Sequence, residues 1–226
     1  MKFMKPATPE THGVYLDWGN SVGSVEDDAM FDDIAKACRV PVDTIKKIWK
    51  SVGNEIQRGT HSEDDFWTAY VRETKKAAPA GGDDLFTRAY QQHSRLNTGV
   101  RDIILHLREK GYRVGLLSNT IPSHVDYFRA NPQRSLYDLF DPLIASCEQG
   151  SRKSDIGHPL YLRAEKLMER PNIVFCDDID KYAVDAVNEL NQRPNPLSRW
   201  VGVHASEFDK VATVLEKKLR AEGFDF

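Results

Sequence analysis

The chain has 226 residues, 40% of them hydrophobic and 29% charged, with a formal net charge of -3. That length holds one large domain, or a core domain and a smaller companion, and the near-neutral balance excludes a strongly basic nucleic-acid surface. Small molecules or proteins are the expected partners. Cys38, Cys147 and Cys176 are widely spaced without a C-x-x-C pair, which argues against a disulfide framework or a zinc site. The N-terminal "MKFMKPATPETH" has no apolar core of signal-peptide length, and nowhere do 18 apolar residues run together, so a cytoplasmic location away from membranes is expected.

In chain order, "GVYLDW" (13–18) is the first short apolar run that reads as a strand covered on both faces. Residues 24–95 then break the rhythm. They offer no good strand and predict three or four consecutive helices, with starts marked by Ser24 with Asp27 and by Ser62 with Asp65 as capping boxes. Turn-like "PAGGDD" (79–84) separates the last two helices. Trp49, Phe66, Trp67 and Tyr70 fall here, mostly as core of the small bundle with one or two facing a cleft. The acidic group Glu26, Asp27, Asp28, Asp32 and Asp33 reads as a solvated helix face and receives no role.

Beyond residue 95, strands and helices alternate. Val100, Ile103, Ile104 and Leu107 keep helical spacing before the strand "YRVGLLS" (112–118). A weaker strand is "PLIAS" (142–146), and "NIVFCDD" (172–178) is another buried run. Ala183, Ala186, Val187 and Leu190 predict a helix, "RWVGVHA" (199–205) a last strand, and Phe208, Val211, Ala212 and Leu215 a last helix. This order predicts an α/β fold: a Rossmann-like parallel sheet with helices on both faces, ligands lying beyond the carboxyl ends of its strands. The expected division is a core of 1–23 and 96–226 with 24–95 as a helical cap subdomain.

Polar residues finish the strands and would meet at one sheet edge: Asp17, then Ser118 and Asn119, then Asp177 and Asp178, with Lys153 in the intervening "QGSRKSD". Two carboxylates about 4 Å apart repel by roughly 4 kcal/mol at an effective dielectric of 20, so gathering Asp17, Asp177 and Asp178 calls for a cation. Oxygen ligands alone suit Mg²⁺ rather than zinc. Each motif also has a plainer reading. Asp17 is a turn residue on that view, Ser118 and Asn119 cap a helix beginning near Ile121, and Asp177 and Asp178 cap one near Lys181.

Taken together, "VYLDWGNS", "VGLLSNT", "SRKSD" and "VFCDDID" resemble, in order, the four motifs of the haloacid dehalogenase (HAD) superfamily, most closely its phosphatase branch with a helical C1-type cap. The resemblance implies a magnesium-dependent phosphomonoesterase acting on a small phosphorylated metabolite. Asp17 would be the nucleophile that forms an aspartyl phosphate. Mg²⁺ would be held by Asp17, the Gly19 carbonyl, Asp178 and Asp177, with Lys153 as a second positive charge. Ser118, Asn119 and Asn20 would contact the substrate.

Three positions depart from the family pattern. Gly19 stands where an aspartate usually serves as general acid and base, a loss typically worth about 10² to 10⁴ in rate. Tyr182 replaces a usual asparagine or aspartate, with Asp180 nearby, and Ser154 follows Lys153 where proline is usual. Some sugar-phosphate phosphatases of the superfamily also carry Asp-x-Gly-Asn, which "DWGN" resembles. The expectation is therefore a substrate with a stabilised leaving group, an anomeric or aryl phosphate, with metal-bound water or the substrate supplying the proton. Two alternatives are a 2-haloacid dehalogenase, whose halide leaves without a proton, and a catalytically silent relative that binds a phosphorylated ligand or a protein.

Overall fold

A computed structural model describes residues 6–131 and 136–226. Five parallel strands form the central sheet: β1 His12–Leu16, β4 Arg113–Ser118, β5 Leu143–Ala145, β6 Asn172–Asp177 and β7 Arg199–His204, in the order β5-β4-β1-β6-β7. Each lies where an unalternating apolar run predicts it. Every residue of β1 is buried, because helices cover both faces and the two-residue period sends successive side chains into different cores.

Val14 and Leu16 enter one core with Val114, Leu116, Val174 and Val203. It is covered by α5 (Thr98–Glu109) and α10 (Val211–Ala221). Tyr15 enters the other with Phe175, Leu160, Tyr161 and Trp200, under α8 (Pro159–Met168) and α9 (Ala186–Asn191). Each such side chain contributes about 1.5–3 kcal/mol by burial. Gly202 in β7 marks the closest helix approach. A Cβ there would lie 1.7 Å from the Ala183 carbonyl oxygen, in the π-helical turn Lys181–Asp185 that precedes α9.

Residues 24–95 make four helices: α1 Asp27–Cys38, α2 Val42–Arg58, α3 Glu63–Thr74 and α4 Leu85–His93. The expectation of no strand needs correction at both ends of this segment. β2 Gly23–Val25 pairs antiparallel with β3 Ser94–Leu96, a ribbon too short for any alternation to be legible. Ser24 is thereby held in β2, where its hydroxyl accepts from Arg95 Nε at 3.1 Å, so the expected Ser24–Asp27 capping box does not form. Glu26 is the N-cap of α1 and makes no side-chain cap. At α3 the expected box is present, the Ser62 N–H donating to the Asp65 carboxylate at 2.8 Å.

Phe66, Trp67 and Tyr70 are buried in this bundle, with Phe66 and Phe86 edge to face at 5.0 Å. Gly59, at φ 74°, ends α2 directly against the core. A Cβ there would meet the carbonyl oxygen of Cys147, in the short helix α7 (Ser146–Gln149), at 1.9 Å.

Strand β1 sits between β4 and β6. The chain steps outward from β1 through β4 to β5, and on the other side from β6 to β7. The crevice beyond the carboxyl end of β1 is therefore the topological switch point of the sheet.

Candidate active site

Asp17 emerges from β1 into that crevice, buried, its N–H donating to the Cys176 carbonyl at 2.8 Å. Lys153 reaches it from the loop after α7, donating from Nζ to Asp17 Oδ1 at 2.7 Å and to Asp177 Oδ2 at 2.5 Å. Asp177 spends its other oxygen on the Ile179 N–H at 2.8 Å. Asp178 faces the opening and accepts from Asn20 Nδ2 at 3.1 Å. Asn20 adopts φ 51°, a left-handed conformation that asparagine tolerates better than most residues.

Lys153 is fixed along the backbone as well. Its N–H donates to Asn119 Oδ1 at 2.9 Å, and Asp155 Oδ2 accepts from the Arg152 N–H at 2.9 Å, folding the loop on itself. The helical segment 24–95 holds the same loop, since Arg58 at the end of α2 donates through Nε and Nη2 to the Asp155 carboxylate.

Oxygens of Asp17, Asp177 and Asp178 lie within 4.8 Å of one another. Lys153 is the ammonium among them. Burial pushes the Asp17 carboxyl up to about 7; Lys153 opposes that shift while Asp177 and Asp178 add to it. Burial disfavours the Lys153 ammonium, yet Asp17 and Asp177 outweigh it and hold the amine charged above its ordinary range. Asp178 is also raised by burial, against its bond from Asn20. One ammonium among three carboxylates leaves negative charge unbalanced in a dry site. The donor set is all oxygen, which fits a hard divalent cation such as magnesium.

These residues floor a cavity of about 280 Å³ between the sheet edge and the helices of residues 24–95. Asp17, Gly19, Asn20, Ser118, Asn119, Lys153 and Asp178 all reach it, while Asp177 lies beneath, bonded to Lys153. Ser118 and Asn119 cap no helix, because α6 (Pro122–Ala130) starts later with Ile121 as its N-cap. Asp180 is the N-cap position of the π-helical turn, so Asp177 and Asp178 do not cap it; Asp180 Oδ1 lies 3.4 Å from His204 Nδ1 rather than in the cavity. Tyr182 does line it, its ring 5.1 Å from Lys153 Nζ in a cation–π contact.

Of the aromatic cap residues singled out in sequence, Trp49 faces the cavity. Gln57, Tyr90 and His124 line it without any sequence signal, since they share no motif spacing and only folding brings them together, and Arg152 joins them from inside the "SRKSD" motif. Gly19 adds a steric fact. A Cβ placed on it meets nothing nearer than Asp17 Oδ2 at 3.5 Å, an ordinary contact distance, so no steric clash at the Cβ demands glycine there.

Solved structures carry the same architecture. A HAD family enzyme of Bacteroides thetaiotaomicron, in its magnesium complex, superposes with a TM-score of 0.68 at 18% identity, over 88% of this chain and 96% of that one. A HAD-like family hydrolase of Porphyromonas gingivalis gives a TM-score of 0.69 at 20% identity, over 92% and 98% of the two chains. This chain has the HAD fold. An L-2-haloacid dehalogenase shares that fold more distantly, with a TM-score of 0.52 at 15% identity over 92% and 99%. No protein-family model and no curated protein matches the sequence. Within the HAD fold, the five-stranded sheet puts Asp17 at the switch point, and the helical segment stands over it. Among the described residues no helix is long and apolar enough to cross a membrane.

Proposed function

We propose that this chain is a magnesium-dependent phosphomonoesterase acting on a small phosphorylated metabolite with an uncharged leaving group, such as a sugar phosphate, through an aspartyl phosphate. The observation that carries this reading is the buried contact of Lys153 with Asp17 and Asp177, facing Asp178 across one cavity. Asp17 keeps Oδ2 for attack while Oδ1 accepts from Lys153. The ammonium offsets the repulsion between the incoming phosphoryl group and the carboxylate. Ser118 and Asn119, on the cavity wall, hold phosphoryl oxygens.

Asp17, Asp178 and the Gly19 carbonyl would hold magnesium, and Asp177, with both oxygens engaged, anchors Lys153 instead. Bound there, magnesium supplies positive charge toward the phosphoryl oxygens. Water then cleaves the acyl phosphate and frees Asp17. The small cavity limits the leaving group, and Met30, Phe31 and Trp49 on the cap side offer it apolar walls without a cation. The Bacteroides thetaiotaomicron enzyme has also been solved with magnesium and inorganic phosphate.

Gly19 favours a second reading, dehalogenation, in which a halide leaves unprotonated. Asp178, unneutralised at the cavity, weighs against it. A third reading is a silent binder of phosphorylated ligands. Hydrolysis of 4-nitrophenyl phosphate with and without Mg²⁺, beside Asp17→Asn, separates the three. Metal-dependent turnover lost in the variant is the expected result. Chloride release from 2-chloropropionate without metal, or silence with retained phosphate binding, would replace it with the second or third reading.

A further inference from the structure

The acidic group at the start of the cap divides once its contacts are followed. Asp28 pairs with Lys46 at 2.6 Å, and Asp33 with Lys36 at 3.0 Å and His93 at 2.6 Å, as solvated helix residues do. Asp27 behaves differently. It stands on the cavity wall with Asp17, Gly19 and Asp178, and it has no hydrogen bond or ion pair to another described residue. Its side chain reaches solvent at the cavity mouth.

The cavity's other ionisable groups have other work. Asp17, Lys153 and Asp178 make the phosphoryl end. Arg152 donates from Nη1 to Asn54 at 2.6 Å, and a guanidinium does not give up a proton in a protein. His124 is driven by burial down to about 3, so its ring is neutral near pH 7, and its Nε2 is sealed from solvent. The Tyr90 hydroxyl is sealed too, and burial pushes its ionisation well above the usual phenol range. Tyr182 turns its ring to Lys153. Asp27 is left as the carboxyl that a leaving group can touch. Burial, then Asp28 and Asp178, raise it above the ordinary carboxylate range, the direction an acid working near neutrality requires.

We propose that Asp27 is the general acid and base that position 19 lacks, delivered to the substrate by the cap. The proposal rests on the phosphomonoesterase reading. Asp17 Oδ2 bonds to phosphorus as the ester P–O bond breaks, and the leaving oxygen takes the Asp27 proton and departs as a neutral alcohol. In the second half, water bonds to phosphorus and gives a proton to the Asp27 carboxylate as the bond from phosphorus to Asp17 breaks. Phosphate, Asp17 carboxylate and protonated Asp27 result. Because α1 belongs to the cap, the proton donor is present only when the cap stands over the site, which couples acid catalysis to exclusion of water.

The test is a leaving-group series. kcat/KM, which reports phosphoryl transfer to Asp17, is measured with saturating Mg²⁺ for 4-nitrophenyl, phenyl and methyl phosphate in wild type, Asp27→Asn, Asp27→Glu and Asp27→Asn with Gly19→Asp. Asp27→Asn is expected to lower the methyl ester by about 10²-fold or more, and 4-nitrophenyl phosphate by a factor about tenfold smaller, since a good leaving group needs little protonation. Gly19→Asp in that background is expected to recover part of the loss on methyl phosphate. An equal loss on all three esters, or no loss on any, overturns the role of Asp27 and leaves the phosphatase reading standing. A wild type inert toward every ester overturns that reading itself. Circular dichroism confirms folding, and Asp27→Glu, expected to fall between wild type and Asp27→Asn on the same series, decides the matter should Asp27→Asn not fold.

Discussion

The two walls of the cavity are built from opposite materials. On the core wall Lys153 bonds to Asp17 and to Asp177 beneath it, and Asn20 donates to Asp178, at the ends of β1 and β6 and the loop between. On the facing wall, from residues 24–95, Met30, Phe31 and Trp49 are apolar, while Gln57, Tyr90 and Asp27 are polar, Asp27 with no hydrogen bond or ion pair to another described residue. Charges locked in mutual contact suit a step common to every substrate. A mostly apolar surface carrying a few polar groups suits the part that varies. The difference places the nucleophile and its cation at the strand ends, and apolar walls with the proposed proton donor on the helical segment.

The core wall breaks most completely at Asp17. Asp17→Asn is expected to lower turnover of 4-nitrophenyl phosphate by about 10³-fold or more, because the nucleophile and a metal ligand go together. Next comes Lys153→Ala, which leaves Asp17 and Asp177 buried without their cation. A loss of about 3–5 kcal/mol is expected in urea unfolding. Magnesium is expected to restore part of it, about 2.7 kcal/mol at a hundredfold excess over Kd.

A third prediction concerns pH. Folding raises the Asp17 carboxyl from its ordinary 3.8 to about 7, so the native state holds that proton more tightly than the unfolded chain. The stabilisation is full below the unfolded value and is lost as pH rises toward 7. Without metal, Tm is expected to fall across that window, whereas Mg²⁺ or Asp17→Asn flattens the slope. An unchanged slope in Asp17→Asn would show that another group governs it.

The smallest expected effect sharpens the seam between the walls. Arg58 and Asp155 are 27% and 17% exposed, so their pair contributes about 0.5–1 kcal/mol. Arg58→Met is expected to lower Tm by about 1–4 °C. It should raise KM more than it lowers kcat, since it loosens the cap over the Lys153 loop without touching substrate. A fall in kcat alone would argue against that seam.

Much of this was legible before folding was considered. The strands β1, β4, β6 and β7 announce themselves because burial on both faces removes polar alternation, and Asp17, Ser118 and Asp178 follow because parallel strands end together, whereas Lys153, in a loop, was placed only by the family resemblance. The β2–β3 ribbon was not legible, since three residues carry no period and their pairing spans some 70 residues of chain. Asp27 was hidden for another reason. Among five acids at one helix start, composition describes the whole face, and only the packing of α1 over the crevice singles out the residue that borders the cavity mouth. Tyr90 and His124 escaped likewise, buried aromatic neighbours 4.1 Å apart whose place on the cavity depends on α4 meeting α6.

The β2–β3 ribbon also bears on how such a molecule is altered. Because the chain departs for the helical segment and comes home along two hydrogen-bonded neighbours, both ends of that segment share one narrow hem. Another helical bundle stitched in at Val25 and Ser94 would inherit the same alignment but would have to bring its own proton donor in place of Asp27 and its own grip on the Lys153 loop in place of Arg58.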